Sequence, residues 1–247
     1  YTNIKMVNKY TFTALILTLI FNIVYSQETI LEIPINKMDS IADISGYENT
    51  VEYHWGPVKD RYSKGIDHED SSALRLGLRK YIEITPNDIP ENTKNKNIEI
   101  SIDLKFGNDV DELFEFPTNH STLIIGAADN NYSFSDTTLH WGFIFNYNDS
   151  SITDNFGSTN VKIDNINEWN SFKFNFNNSD STIDISLNNN LISSQKIDSS
   201  ISLSNSSVIG IGKWLNEYLY AHIDNIKIVL SDFNNDNIIN SKIEIIP

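Results

Sequence analysis

The sequence predicts an all-β domain made of two antiparallel sheets. Apolar residues recur with period 2 in one short segment after another, polar clusters rich in Asn, Asp, Ser and Gly separate those segments, and no stretch offers a convincing helical period. Regular short strands joined by turns favour a sandwich or barrel over βαβ units.

Taken in order, the chain opens with a candidate leader. Met6-Val7-Asn8-Lys9 is a short basic start, and Tyr10 to Tyr25 is an apolar run broken only by threonines and Asn22. Val24-Tyr25-Ser26 supplies tolerated residues for signal-peptidase cleavage before Gln27, so residues 1–26 read as a signal peptide. The run is short and interrupted for a membrane span, and an uncleaved N-terminal anchor is the alternative. Because the chain opens on Tyr1, the first five residues read as an upstream extension of the frame. Residues 27–230 are then the folded domain and 231–247 a polar C-terminal tail.

Asn97 to Phe106 gives the clearest strand, with Ile98, Ile100, Ile102, Leu104 and Phe106 on one face and Glu99, Ser101, Asp103 and Lys105 on the other. Leu139, Trp141, Phe143 and Phe145 align in the same way, as do Phe172, Phe174 and Phe176, and Ile183, Ile185 and Leu187. Asn188-Asn189-Asn190 followed by Leu191-Ile192 reads as a hairpin, because asparagine tolerates positive φ. Trp141 and Trp169 are expected in the core. Polar loops fill Pro86 to Lys96 and Asp129 to Thr138.

Val208 to Leu230 reads as two strands joined by a surface loop. Strict alternation in the second places Asp224 on one face with Ile226, Ile228 and Leu230. A carboxylate turned toward a core must be paired, hydrogen-bonded or bound to a cation, and calcium is the first candidate.

Composition narrows the partners. The net charge is −15 and becomes −17 over residues 27–247, since Lys5 and Lys9 leave with the leader. That surface disfavours nucleic acid and anionic membranes and suits divalent cations and neutral ligands. The chain has no cysteine, so neither disulfides nor thiolate chemistry contribute. Asn-X-Ser sequons at Asn119, Asn131, Asn148, Asn177 and Asn205 matter only in a glycosylating host.

The order of several short motifs resembles the laminin G-like, concanavalin A-like jelly-roll modules. These are Asp43-Ile44-Ser45-Gly46 with Asn49, Asp60 to Gly65, Tyr81-Ile82-Glu83-Ile84, the Ile98–Phe106 strand, and Glu168-Trp169-Asn170-Ser171-Phe172. The Asn188–Ile192 hairpin, Ile209-Gly210-Ile211-Gly212 and Ala221 to Ile226 continue the series. Leu104 replaces the family's usual tryptophan and Asn189 its hairpin glycine. The resemblance spans roughly Ile30 to Leu230 and implies a two-sheet jelly-roll sandwich, with a structural calcium tying the early turn to the closing strand. The matching positions are Asp43, Asn49 and Asp224; the alternative is that Asp43 initiates a turn and Asp224 accepts hydrogen bonds.

Other features offer less. Asp232 to Asn240 resembles a calcium loop of dockerin or EF-hand type, but Asn237 stands where glycine is favoured and Ile243 where an acid is needed, so a polar linker is the preferred reading. Aromatic residues outside the alternating strands are the candidates for ligand contact: Trp214, Tyr218 and Tyr220 between the last two strands, and Tyr53 and Trp55, with His54 between them. For Trp214 the competing reading is a cover over a core edge. Asp111 to Glu115 lacks the E-x-D-x-x-E spacing of jelly-roll glucanases, and His54, His68, His120, His140 and His222 show no metal-ligand spacing.

The sequence therefore points away from catalysis and toward a secreted or cell-surface module that binds a glycan or an extracellular protein surface without covalent chemistry. A glycan-cleaving hydrolase or lyase on the same fold is the alternative, and an adhesive spacer without a small ligand is the second.

Overall fold

A computed structural model describes residues 27–35, 41–54, 62–63, 73–77, 79–90, 93–107, 120–129, 139–198, 200–204, 206–215 and 217–232. The leader, Trp55, His68, the acidic stretch Asp111 to Glu115 and the calcium-loop candidate beyond Asp232 lie outside the described residues, as do the sequons at Asn119, Asn131 and Asn205.

Alternation decides the architecture. In β6 (Lys96–Phe106), Ile98, Ile100, Ile102, Leu104 and Phe106 are buried, while the intervening Glu99, Ser101, Asp103 and Lys105 stay half-exposed. Burying such side chains is worth about 1.5–3 kcal/mol each, so the face is set by its own composition. The same force places β11 (Asn170–Asn177) beside it and β12 (Thr182–Leu187) next, while β13 (Asn190–Lys196), almost wholly exposed, is held at the edge by its pairing with β12.

One sheet runs in the order β13, β12, β11, β6, β17 (Ala221–Asp232), β4 (Ala73–Arg75), β3 (Tyr62–Ser63), with β1 (Gln27–Ile33) also on β17. The second runs β10 (Asn160–Lys162), β9 (Ser151–Asp154), β8 (Trp141–Asn146), β7 (Ser121–Asp129), β14 (Ser207–Ile211), β5 (Tyr81–Thr85), β2 (Thr50–His54). A small hairpin, β15 (Lys213–Trp214) with β16 (Glu217–Tyr218), completes the strands described. Every pairing between named strands is antiparallel. The expected antiparallel two-sheet sandwich is what the chain forms.

Aromatic rings join the two sheets. Phe143 of β8 stacks on Phe174 of β11 at 3.9 Å, Phe145 on Phe106 at 4.1 Å, and Trp141 meets Phe176 edge-on at 5.6 Å. Such pairs add about 0.5–1.5 kcal/mol each beyond their buried area. The hairpin turn holds Asn188 at φ 50° and Asn189 at φ 65°, as its asparagines predict.

Three expectations are corrected. Leu139 does not join the row of Trp141, Phe143 and Phe145: β8 begins at Trp141, and Leu139 packs with Leu123, Ala128 and Ile144, a second apolar cluster apart from the main core. Trp169 is half-exposed beside His222 rather than in the core. Asp224 does not share a face with Ile226, because the β6–β17 register shifts between Asp224 and Lys227: Ile223 lies opposite Leu104, Asp224 opposite Asp103, and Ile228 opposite Ile100. Asn225, at φ 43°, absorbs the extra residue, and the bulge resets the phase so that Ile223 and Ile226 both reach the core. β17 then continues to Asp232, whose carboxylate pairs with Lys96 at 2.9 Å.

Candidate functional site

The register of β2 on β5 builds the site. Val51 and Tyr53 lie opposite Ile84 and Ile82 on the core side, which puts Glu52 opposite Glu83 and His54 opposite Tyr81 on the other side. His54 sits between the two acids, with Nε2 2.9 Å from Glu83 Oε2 and 3.8 Å from Glu52 Oε2. Its ring stacks on Tyr81 at 4.3 Å and 8° between planes. The Tyr81 ring stands 6.2 Å from that of Tyr218, tilted by 41°, and the Lys213 ammonium lies 4.5 Å from the Tyr81 centroid.

Together Tyr53, His54, Arg79, Tyr81 and Tyr218 line an open pocket of ≈ 490 Å³. Arg79 enters through a tight turn in which Gly77 and Lys80 exchange backbone hydrogen bonds, N–H to C=O, at 3.3 and 2.9 Å. It takes φ 59°, a left-handed conformation that costs an arginine more than a glycine. Burial, then the charge of Glu83, the neighbouring Tyr218 and the charge of Glu52, push the Tyr81 phenol up to about 12. It therefore remains a neutral donor at physiological pH. The Tyr53 hydroxyl is spent, donating to the Arg75 carbonyl at 2.7 Å.

Of the candidate ligand residues, Tyr53 and Tyr218 meet in this pocket. Tyr220 goes elsewhere: its amide donates to the Tyr147 hydroxyl at 2.7 Å, and its ring lies 6.4 Å from that of His120. Trp214 packs on the Leu123, Ala128 and Ile144 cluster with its indole nitrogen buried and without a hydrogen-bond partner, the arrangement of a cover. His54, named with Tyr53 and Trp55 in the sequence, joins them, and Arg79, Tyr81, Glu52 and Glu83 complete the site without having been singled out for it by sequence. The pairing of β2 with β5, some thirty residues apart, brings them together.

Asp43 and Asn49 also meet, in a different role. Asp43 Oδ1 accepts from the amides of Glu32 (2.9 Å) and Ser45 (3.0 Å), and Oδ2 is met by the Ser45 hydroxyl (2.8 Å), the Asn49 amide (3.2 Å) and the Asn49 side-chain nitrogen (2.7 Å). Asn49 Nδ2 also donates to the Ile30 carbonyl, and its oxygen accepts from the Asn87 amide. Gly46 supplies the φ of 94° that closes this turn. Burial opposes ionisation of Asp43, but these hydrogen bonds outweigh it and hold the carboxyl below the usual range. A structural calcium does not fit this donor set. N–H and O–H groups occupy the carboxylate, Asn49 has given its oxygen to Asn87, and Asp224 lies in the bulge opposite Asp103 with Oδ1 accepting from the Asn225 amide.

No protein-family model and no curated protein matches the chain. Solved structures do. A receptor-binding domain of botulinum neurotoxin mosaic serotype C/D aligns at 18% identity over 85% of this chain and 49% of that one, with a TM-score of 0.54. The binding domain of botulinum neurotoxin DC, solved in complex with rat synaptotagmin II, aligns at 17% over 85% and 50%, with 0.56. The serotype D binding domain aligns at 15% over 85% and 50%, with 0.54. The chain spans about half the length of these structures, and the likeness is one of fold. Among the described residues, no helix is long and apolar enough to cross a membrane.

Proposed function

We propose that this chain is an exported, noncovalent binding module of laminin G-like type that takes a glycan in the pocket of Tyr53, His54, Arg79, Tyr81 and Tyr218. The observation that carries the reading is the convergence of three tyrosines, an imidazole and a guanidinium on one open pocket. Aromatic faces stack on sugar rings with little loss of side-chain freedom, while Arg79 and the protonated Tyr81 hydroxyl supply donors for sugar oxygens. Holding arginine at a positive φ, where glycine would cost less, is consistent with a demand for its side chain. The fold neighbours are toxin binding domains, and one of them is complexed with a protein, so a protein surface is the competing partner class.

The test is glycan-array screening of the full chain, followed by titration of any hit. Tyr218→Ala should weaken binding at least tenfold with little loss of stability. Arg79→Gly should weaken binding while leaving the fold as stable or more so, since glycine relieves the turn. No glycan bound, or hits indifferent to both substitutions, would refute the reading.

A glycan-cleaving enzyme is the second reading, favoured by one observation: oxygens of Glu52 and Glu83 lie within 4.8 Å of each other, near the roughly 5–5.5 Å carboxylate separation of retaining glycosidases. Against it, Glu52 is 66% exposed on an edge strand, which does not enclose a reacting bond away from water. Release of reducing sugar, abolished by Glu83→Gln, would reverse the preference.

A further inference from the structure

Glu52 and Glu83 are direct cross-strand partners in an antiparallel pair. Like charges so placed repel. Among the described residues, His54 is the group that faces both carboxylates, and its ring is held against Tyr81 by parallel stacking, which fixes the direction of Nε2. All three donor atoms lie within 4.8 Å of one another.

The 2.9 Å separation between His54 Nε2 and Glu83 Oε2 is that of a hydrogen bond, and the three donor atoms are also close enough to share one ion. A tetrahedral zinc site with bonds of about 2.0–2.2 Å has donor–donor edges of roughly 3.3–3.6 Å. The Nε2 to Oε2 separations of 2.9 and 3.8 Å bracket that edge, so small side-chain rotations would seat an ion without moving the backbone. One imidazole nitrogen and two carboxylates form a borderline donor set preferred by first-row transition ions, whereas calcium asks for six to eight oxygens. Two adjacent hydrogen-bonded strands supply all three groups, so little must be ordered on binding.

We propose that Glu52, His54 and Glu83 form a binding site for a divalent transition ion of the zinc type, with three protein ligands and the remaining position open to water or to an occupant of the neighbouring pocket. The site stands independently of the glycan reading, since it needs neither Tyr218 nor Arg79. It would also discharge the repulsion between the two glutamates.

Calorimetric titration of the full chain with zinc chloride in a non-coordinating buffer at pH 7.5 tests this. One zinc per chain is expected at the site. His54→Gln should abolish that binding, and Glu83→Gln and Glu52→Gln should each weaken it at least tenfold. Glu52 is largely exposed, so its substitution reads ligation without threatening the fold. His140→Gln is the control, because His140 faces Asp129 at 3.0 Å in a separate exposed pair, and it should leave the affinity unchanged. No zinc uptake, binding that survives His54→Gln, or displacement of zinc by millimolar calcium would each overturn the assignment. Tyr218→Ala should leave zinc binding intact, so failure of the glycan reading and failure of this one are separable.

Discussion

Asp43 and the Glu52–Glu83 pair sit in neighbouring parts of the same chain and solve opposite problems. Five donors within 2.7–3.2 Å surround the Asp43 carboxylate, and the turn it organises ties Glu32, Ser45 and Asn49 together. The two glutamates instead face each other across a strand pair with one histidine between them. A carboxylate saturated by N–H groups has spent its binding capacity on folding, whereas a pair that meets, among the described residues, an imidazole keeps that capacity. Asp154 repeats the first arrangement, accepting from the Phe156, Ser158 and Thr159 amides and from the Ser158 hydroxyl. Asp43 and Asp154 thus differ from Glu52 and Glu83 in the donors that meet them.

The largest effect that separates the two regions should come from Asp43→Ala. It strands several turn donors at once and should destabilise the fold by about 2–3 kcal/mol, measured by chemical denaturation. Asp154→Ala should follow at about 2 kcal/mol for the same reason. The acid response should differ next. The Asp43 carboxyl is held below its unfolded value of about 3.9, so its contribution is fully present above that pH and is lost as pH falls through the lower folded value. Asp43→Asn should flatten the stability curve below about pH 4, and an unchanged curve would mean that other acids dominate. Glu83→Gln should do the reverse of Asp43→Ala, leaving stability unchanged or raising it by about 0.5 kcal/mol by removing like-charge repulsion. The smallest effect is spectroscopic: the same substitution should lower the Tyr81 phenol from about 12 toward its ordinary value, followed by ultraviolet titration. A loss of stability in Glu83→Gln comparable to that in Asp43→Ala would erase the distinction between the two regions.

The sheets were legible because burial repeats every second residue wherever a strand stays regular. Ile98 to Phe106 and Phe172 to Phe176 reach the core as their alternation predicts, and the two asparagines of the hairpin announce their own positive φ. Alternation fails at an inserted residue. Alternation alone puts Asp224 on the aliphatic face, because nothing in the composition of Asp224-Asn225-Ile226 marks a bulge, although asparagine is a residue that tolerates one. The Asp43 turn was visible as a D-x-S-G-x-x-N pattern, but whether its oxygens point at amides or at an ion depends on where Glu32 and Asn49 lie in space. The pocket was half visible. Tyr53 and Tyr218 stood out as aromatics in loops, while Tyr81 was hidden inside a strand motif and Glu52, His54 and Glu83 were scattered until β2 paired with β5. Trp214, the most conspicuous aromatic, became a cover because the apolar cluster beneath it is formed by residues far away in sequence.

β17 occupies the middle of its sheet, with β6 along one side and both β1 and β4 along the other. Gln27 pairs with Ser231 and Ile98 with Leu230, so the interior of that sheet cannot close until Ala221–Asp232 is available to zip it. Contacts spanning such distances along the chain make folding slow, because the loops must close before their contacts contribute. Until then β6, paired with β11 along one side, exposes its other ladder edge, a template for pairing with another molecule. Synthesis would therefore deliver an unclosed sheet until this strand emerges, and chaperone dependence and yield on expression should respond most sharply to changes in its timing.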